Sequence, residues 1–381
     1  MFKNLSSFLI ILSAATILIG GCQQGGGEGE SESFKKYGQE FEGKIAKSYA
    51  ESKEWWPTPP KPPAETPNVV LLLLDDTGFG HLSSFGGLVE TPNIDKLADD
   101  GLRYSNFHTT ALCSPSRASI MAGRNHHRVG LGSHSLTAMG FPGYNAYAPE
   151  SGKSIAKHLQ KAGFVNYAIG KWDHTPLYEV SESGPFDRWP SGEGFDHYYG
   201  FMAADADNYR SLLWRDHNPI EDWTGREDYH LSETMADEFI RNITSHVSVS
   251  PDKPFMMFWA PVAMHSPHQA PQKYIDYYKG KFDMGWDKAR ETIHAKQLEM
   301  GVIPGGTDLS PRIPEIPAWD SLNDEEKKLY ARQMEVFAAM LTHVDEQIGR
   351  MIDALKRTGQ YDNTIILVTA DNGSSGEGGL A

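Results

Sequence analysis

Residues 69–80 of the chain are VVLLLLDDTGFG, a run of six apolar residues followed directly by two aspartates. A short, continuous apolar run is typical of a parallel β-strand that is buried on both faces. Three later segments have the same character, over 164–169, 255–260 and 364–369. Amphipathic segments with helical spacing separate these runs. Strands that alternate with helices predict an α/β fold with a mixed, mainly parallel central sheet flanked by helices.

Capping residues and apolar spacing locate the helices between these strands. Thr91-Pro92 favours a helix start, and Gly101 favours the end of the same helix. Residues 273–319 are dotted with Pro, Gly and Trp, and we expect an insertion there rather than part of the core. The predicted helices cover 91–101, 114–123, 151–162, 232–247 and 323–356.

The N-terminus resembles a bacterial lipoprotein signal. Lys3 supplies a positive charge, and residues 8–19 form an apolar run that is short for a membrane span. Small residues then precede Cys22, which such signals present for lipidation; a plain cleavable signal peptide is the alternative. We therefore expect an exported protein, anchored by lipid and facing the periplasm or the cell surface. The predicted segments are the signal over 1–22, a flexible tether with a Pro-rich lead-in over 23–66, and the folded domain over 67–381.

The composition limits the classes of partner. The chain has 381 residues, 35 Lys and Arg against 50 Asp and Glu, and a net charge of −15. Because phosphate binding depends largely on Lys and Arg, this acidic balance argues against a nucleic-acid partner. Two cysteines exclude a disulfide scaffold and a Cys-rich zinc module.

Polar residues follow each of the four predicted strands. Ligands of open α/β sheets bind beyond the carboxyl ends of the parallel strands. Four strands that deliver acids, an amide, a lysine and histidines to one edge therefore predict a functional site at that edge. In chain order these residues are Asp75 and Asp76; Lys171, Asp173 and His174; His265 and His268; Asp371 and Asn372.

The residues after the first and last strands have the chemistry of a metal site. Asp75, Asp76, Asp371 and Asn372 offer only oxygen ligands, which suit Ca²⁺ or Mg²⁺ far better than Zn²⁺. Three carboxylates at one edge would also repel one another unless a cation lies between them. We predict a Ca²⁺ site here, with Mg²⁺ as the alternative.

The segment CSPSRA, residues 113–118, has the features of an anion site with a nucleophile. Cys113 comes just before a helix that begins with Ser-Pro, so its side chain lies near unpaired N–H groups and the positive end of the helix dipole. Arg117 lies one turn later and can reach the same anion. This arrangement predicts a partly activated thiol that acts on a charged oxyanion.

The same segment, CSPSRASIMAGR, resembles the signature of type I sulfatases of the alkaline-phosphatase-like superfamily. In that family Cys-x-Pro-x-Arg directs oxidation of the cysteine to Cα-formylglycine. LLLLDDTGFG before it and ILVTADNGSS near the end resemble the metal segments of arylsulfatases, and GKWDHTP and APVAMHSPHQAP resemble segments between them. The resemblance covers residues 67–376, and a bare CxPxR motif gains its specificity from the DD before it and the DNG after it.

The resemblance implies a sulfuric-ester hydrolase that acts on a small-molecule or glycan sulfate ester. A formylglycine-generating or sulfatase-maturing enzyme would modify Cys113, and the hydrated aldehyde would supply the nucleophile. Arg117 would stabilise the modified residue, while Lys171 and His268 would contact the sulfate group or its leaving oxygen. The implied calcium ligands are Asp75, Asp76, Asp371, Asn372 and modified Cys113.

The chain departs from the family pattern close to Lys171. Family members commonly have Gly-Lys-Trp-His, whereas here Asp173 takes the place of that histidine and His174 follows it. We expect His174 to replace the displaced histidine through a small loop shift. His126 and His127 resemble a family pair downstream of the cysteine, and either one of them orients the nucleophile or both are structural.

The chain stops at Ala381, where the family continues with another sulfate-binding lysine and a smaller C-terminal subdomain. We therefore expect a C-terminally truncated catalytic domain with poor solubility and reduced activity. Two other functions remain open at this point. One is a phosphonate or phosphate ester hydrolase of the same superfamily, and the other is an inactive module that binds sulfated ligands.

Overall fold

The computed structural model describes residues 38–375. The chain divides into two compact units, one that ends at Thr58 and one that begins at Pro59. The described part of the first unit contains a 3₁₀ turn over Tyr49–Glu51 and a bridge between Lys44 and Lys53. The predicted signal with Cys22 lies outside the described residues. Within residues 38–375, no helix combines the length and apolar character needed to cross a membrane.

The second unit is built around a seven-stranded sheet with the strand order β5-β4-β3-β2-β6-β1-β7. The five strands from β3 to β7 along this order run parallel, and β4 and β5 are added antiparallel at one edge. The α/β prediction with a mainly parallel sheet is therefore confirmed. The strands are β1 Asn68–Leu74, β2 Val165–Lys171, β3 His197–Phe201, β4 Leu213–Arg215, β5 Asn218–Ile220, β6 Phe255–Ala260 and β7 Thr364–Ala370.

Helices cover both faces of this sheet. The longest, α7, begins with a capping box in which Asn323 and Glu326 satisfy each other's backbone N–H groups. The helices are α1 Pro92–Asp100, α2 Cys113–Ala122, α3 Ile155–Lys161, α4 Leu231–Val249, α5 Gln272–Tyr278, α6 Gly285–Glu299 and α7 Asp324–Arg357.

The central strands are buried on both faces, as the apolar runs predict. Alternate residues of β1 enter two different cores: Leu72 and Leu74 pack with α4, α5 and α7, whereas Leu71 and Leu73 pack with residues of α2 and α3. The same alternation holds for β6. Packing in these two cores fixes the position of each strand along its own axis. It therefore also fixes the position of the residues that follow the strand.

Three expectations about elements need correction. Residues 273–319 are not merely an insertion, because Tyr278 at the end of α5 is completely buried in the main core. Strand β7 is not buried on both faces: it forms an edge of the sheet, and Ile365 and Leu367 are 49% and 48% exposed. The helix predicted over 151–162 is shorter, because a 3₁₀ turn over Glu150–Gly152 precedes α3.

Candidate active site

Three aspartates lie together at the carboxyl ends of two neighbouring strands. Asp75 and Asp76 follow β1, and Asp371 follows β7. Because Leu74 pairs with Ala370 in the parallel register, both strands end at the same height. The backbone N–H of Asp371 donates to the Leu74 carbonyl over 3.1 Å. Ligand atoms of the three aspartates and of Cys113 all lie within 4.8 Å of one another, and all four residues are buried.

Two buried cations compensate part of this negative charge. Arg117 donates from Nε and Nη2 to Asp371 Oδ2 over 2.9 and 2.6 Å. Lys171 Nζ donates to Asp75 Oδ2 over 2.8 Å. Lys171 is the last residue of β2, and Gly170 before it has φ +103°, with the carbonyl of Ala260 only 2.0 Å from where a Cβ would stand. Glycine therefore allows β2 to bring Lys171 close to β6 and the aspartates.

The two principal carboxylates respond differently to these surroundings. Burial raises the pKa of Asp75 to about 7, with a further increase from Asp371, although Lys171 and Arg117 oppose the shift. For Asp371 burial acts in the same direction, but Arg117 and Lys171 outweigh it and hold the pKa below its ordinary value. The site therefore keeps one carboxylate firmly ionised and a second that can exchange a proton near neutrality.

Two buried oxygen atoms at this site have no hydrogen-bond partner among the described residues. Asp76 accepts from Asn372 Nδ2 on Oδ1 over 2.6 Å, which leaves Asp76 Oδ2 and Asn372 Oδ1 unpaired. An unpaired buried oxygen is costly unless it binds a proton or a cation. The donor set of three carboxylates and one amide oxygen fits a hard divalent cation such as Ca²⁺ or Mg²⁺.

Cys113 is the first residue of α2, and its Sγ lies 3.7 Å from Asp75 Oδ1. Burial is the main influence on the thiol: it raises the pKa far above the ordinary value, and Asp75 and Asp371 raise it further. The prediction of an activated thiol at a helix N-terminus is therefore wrong. In its unmodified form Cys113 remains protonated, and it is a poor nucleophile.

The loop after β6 places His265 and His268 at the same edge of the sheet. His265 is buried, and against the effect of burial it lowers the pKa of both Asp75 and Asp76. His268 is exposed, and its ring packs edge-on against Phe337. His268 also interacts electrostatically with Asp76. Both histidines were predicted at this edge from the sequence; His265 is the buried one, and its charge acts on both Asp75 and Asp76.

His174 is not among the residues whose ligand atoms cluster at the carboxyl ends of β1 and β7. Its ring packs edge-on against Trp172, and it lines a small, mainly apolar cavity together with Ala118 and Met121. Burial lowers the pKa of His174 to about 4. Asp173 has φ +54°, and its carboxylate accepts a hydrogen bond from Ser135 Oγ over 2.8 Å.

The rings of His126 and His127 pack against each other at an angle of 45°, with their centroids 4.2 Å apart. His126 Nδ1 lies 3.0 Å from the Leu131 carbonyl, and His127 Nε2 lies 3.3 Å from the Tyr144 hydroxyl. These contacts support the structural reading of the pair. A different histidine, His134, contacts the segment after Cys113. Only its position in the folded loop reveals it, because no motif marked it in the sequence.

Comparison with known proteins identifies the family. The family model described as Sulfatase matches residues 67–380 of the chain. The chain belongs to the sulfatase family. It is 32% identical over 336 residues to an uncharacterized sulfatase of Schizosaccharomyces pombe, and 28% identical over 326 residues to an arylsulfatase of Klebsiella aerogenes. Both matches cover 82% of this chain, and they span 58% and 67% of the two relatives.

Solved structures of sulfatases share the fold. The sulfatase yidJ of Bacteroides fragilis superposes with a TM-score of 0.61 at 22% identity, and the match covers 82% of this chain and 63% of that one. A protein solved with its substrate D-glucosamine-2-N,6-O-disulfate superposes with a TM-score of 0.55 at 22% identity, covering 81% and 66%. The present chain, with its mainly parallel central sheet, therefore has the alkaline-phosphatase-like fold of these sulfatases. The matched region corresponds to roughly three fifths of these relatives' own length.

Proposed function

We propose that this sulfatase is a calcium-dependent sulfuric-ester hydrolase whose nucleophile derives from Cys113 by conversion to formylglycine. The observation that carries the proposal is the buried cluster of Asp75, Asp76, Asp371 and Cys113, with Arg117 and Lys171 hydrogen-bonded to its carboxylates. A hard cation, a nucleophile position and two fixed positive charges within one buried cluster are what attack on an anionic ester requires.

The state of Cys113 supports the modification. The thiol is buried, and its raised pKa makes it a poor nucleophile and a poor ligand for a hard cation. Formylglycine would supply an oxygen nucleophile at the same position. The Cys-x-Pro-x-Arg context around residues 113–117 is the signal that the family uses for this modification.

The acidic and basic residues of the site would have different roles. Asp75, Asp76, Asp371 and the side-chain oxygen of Asn372 would hold the cation. Arg117 would stabilise the modified residue at position 113. Lys171, with His265 and His268 from the loop after β6, would offset the negative charge that develops on the sulfuryl oxygens. The substrate class is a sulfate ester of a small molecule or a glycan, the latter because a relative of the same fold binds a disulfated glucosamine.

Parallel assays test this function. The protein co-expressed with a formylglycine-generating enzyme is supplied with 4-nitrophenyl sulfate, a phosphate diester and a phosphonate ester at equal concentrations. We expect hydrolysis of the sulfate ester, loss of turnover in Cys113→Ala, and loss in the presence of a calcium chelator. Faster turnover of either phosphorus ester would contradict the sulfatase assignment. Binding of sulfated sugars without hydrolysis would contradict catalysis itself.

We also propose that the protein is exported and lipid-anchored through Cys22, facing the periplasm or the cell surface. Lys3, the apolar run over 8–19 and the small residues before Cys22 support this. A fatty-acid analogue fed to a bacterial host should label the wild type and not Cys22→Ser. Equal labelling of both would contradict the anchor.

A further inference from the structure

His81 connects the two loops that carry the proposed cation ligands. The first loop follows β1 and begins with Asp75 and Asp76, and the second follows β7 and begins with Asp371 and Asn372. The backbone N–H at position 78 donates to His81 Nδ1 over 2.9 Å, and Nε2 of the same ring lies 3.3 Å from the Oγ atom at position 374. A single imidazole ring therefore joins both ligand segments.

The hydrogen bond from Gly78 fixes the tautomer of this ring. Because Nδ1 of His81 accepts the backbone N–H, it carries no proton, and a neutral ring then has its proton on Nε2. Nε2–H is therefore the donor of the contact with Ser374, and the hydroxyl oxygen accepts it. Burial lowers the pKa of His81 to about 4, so the ring is neutral near pH 7 and adds no positive charge beside the cation site.

The His81 ring is held by packing as well as by hydrogen bonds. Phe337 of α7 packs against it, with the ring centroids 4.7 Å apart. Phe337 is itself buried in the main core. Ser374, by contrast, is exposed and belongs to the segment that follows β7. The contact with His81 therefore ties an exposed part of the second loop to a helix of the core.

The same two loops carry the pair of oxygen atoms that lack a partner. Asn372 Nδ2 donates to Asp76 Oδ1 over 2.6 Å, and the unpaired atoms are Asp76 Oδ2 and Asn372 Oδ1. A hard cation that binds both oxygens requires the two loops at a fixed separation. When the loops are already held at that separation before binding, less conformational entropy is lost on binding, and the affinity is higher.

We propose that His81 is a positioning residue of the cation site, which holds the loops after β1 and β7 at the separation that a divalent cation needs. Its ring is not part of the buried cluster that would hold the ion, so it acts through Gly78 and Ser374 and not as a ligand. The inference rests on the proposed function, because it concerns the calcium ion of that proposal.

Calcium binding by variants of the full chain tests this role, with Ca²⁺ alone as the titrant in isothermal calorimetry. His81→Asn can place its side-chain oxygen where Nδ1 stands, but it has no atom that reaches Ser374. We expect the calcium affinity to fall about three- to tenfold, the effect of one lost hydrogen bond, and Ser374→Ala to cause the same loss. His127→Asn, which changes an exposed histidine that packs against His126 and Tyr144, is the matched control and should leave the affinity unchanged.

The double variant separates positioning from a general loss of stability. Because His81 and Ser374 act through the same hydrogen bond, His81→Asn combined with Ser374→Ala should bind calcium as tightly as either single variant does. Losses that multiply, as two independent structural defects would produce, would overturn the inference. An unchanged affinity in Ser374→Ala would also overturn it, and this variant remains informative if His81→Asn does not fold, because position 374 is exposed.

Nitrogen NMR of the metal-free protein provides a readout that requires neither metal nor turnover. The nitrogen shifts of the His81 ring should show the Nε2–H tautomer, and Ser374→Ala should move the Nε2 resonance. A ring protonated on Nδ1 would overturn the inference. If the wild type binds no Ca²⁺, the proposed function and this inference fail together. If the wild type binds Ca²⁺ and the variants bind it equally tightly, only the inference fails.

Discussion

The guanidinium of Arg117 and the carboxylate of Asp371 are both completely buried, so neither can exchange its partner for bulk water. In the metal-free protein, Arg117→Ala leaves a buried, uncompensated carboxylate. We expect the free energy of unfolding to fall by about 3–5 kcal/mol, as measured by urea denaturation in a chelator.

The matched control for Arg117→Ala is Arg350→Ala. Arg350 pairs with Asp237, and the two side chains are 39% and 54% exposed. Because solvent screens such a pair, its loss should change the stability by no more than about 1 kcal/mol. Equal effects of the two substitutions would mean that the Arg117–Asp371 pair is not the buried interaction described above.

The protonation of Asp75 makes calcium affinity depend on pH. Burial raises the pKa of Asp75 to about 7, so below that pH the carboxyl holds a proton that the cation must displace. Calcium affinity should therefore fall by roughly tenfold for each pH unit below neutrality, with protons released on binding. Isothermal titration calorimetry at pH 5.5 and pH 8, in buffers of different ionisation enthalpy, measures the calcium affinity and the number of protons released. The same affinity and no proton release at both pH values would contradict this view of Asp75.

Single residues also mark where sequence reasoning was insufficient. Asp75, Asp76, Asp371 and Asn372 were predictable, because a residue directly after a buried parallel strand must lie at the carboxyl edge of the sheet. The choice between Asp173 and His174 was not predictable, because it depends on the left-handed backbone at Asp173. The contact of His134 with Ser114 could not be predicted for a related reason, because only the folding of its loop brings the two residues together.

At the scale of elements, Gly170 controls how closely β2 approaches β6. A Cβ at this position would stand 2.0 Å from the Ala260 carbonyl, and its φ of +103° strains any other residue. We expect Gly170→Ala to lower the stability by at least about 2 kcal/mol and to displace Lys171 from Asp75. Thermal unfolding and the rate on an aryl sulfate measure the two effects. Gly305→Ala, where a Cβ meets nothing within 4 Å, is the control, and an equally mild result for both would contradict the tight approach.

The strands and helices that could be predicted from the sequence are those with a continuous apolar run or a long helical spacing of apolar residues. Strands β1, β2, β6 and β7 are marked by apolar runs, and α7 by its long helical spacing. Strands β4 and β5 span only three residues each and carry too little pattern to be recognised. Helices α5 and α6 were obscured by the nearby Pro, Gly and Trp residues, although Tyr278 of α5 packs into the main core.

At the scale of the whole molecule, the proposed cation site joins the first and the last strand of the described residues. Asp75 and Asp76 follow the first strand and Asp371 follows the last, so a bound cation stabilises only the folded arrangement. With free Ca²⁺ at a hundred to a thousand times its dissociation constant, linkage gives roughly 3–4 kcal/mol. Chelation should lower the Tm of the wild type and have little effect on Asp371→Asn. Asp237→Asn, which changes an exposed ion pair, is the control, and chelation should lower its Tm as much as that of the wild type. A wild-type Tm that does not change in chelator would contradict the cation site.

We propose that residue 113 is converted from cysteine into the oxygen nucleophile of this sulfatase. The most direct test is the mass of the tryptic peptide from Tyr104 to Arg117, taken from protein made in cells that modify other sulfatases. We predict the lower mass that results when an aldehyde replaces the thiol, together with reaction of the peptide with a hydrazide. A peptide that carries only the intact thiol would contradict this conversion.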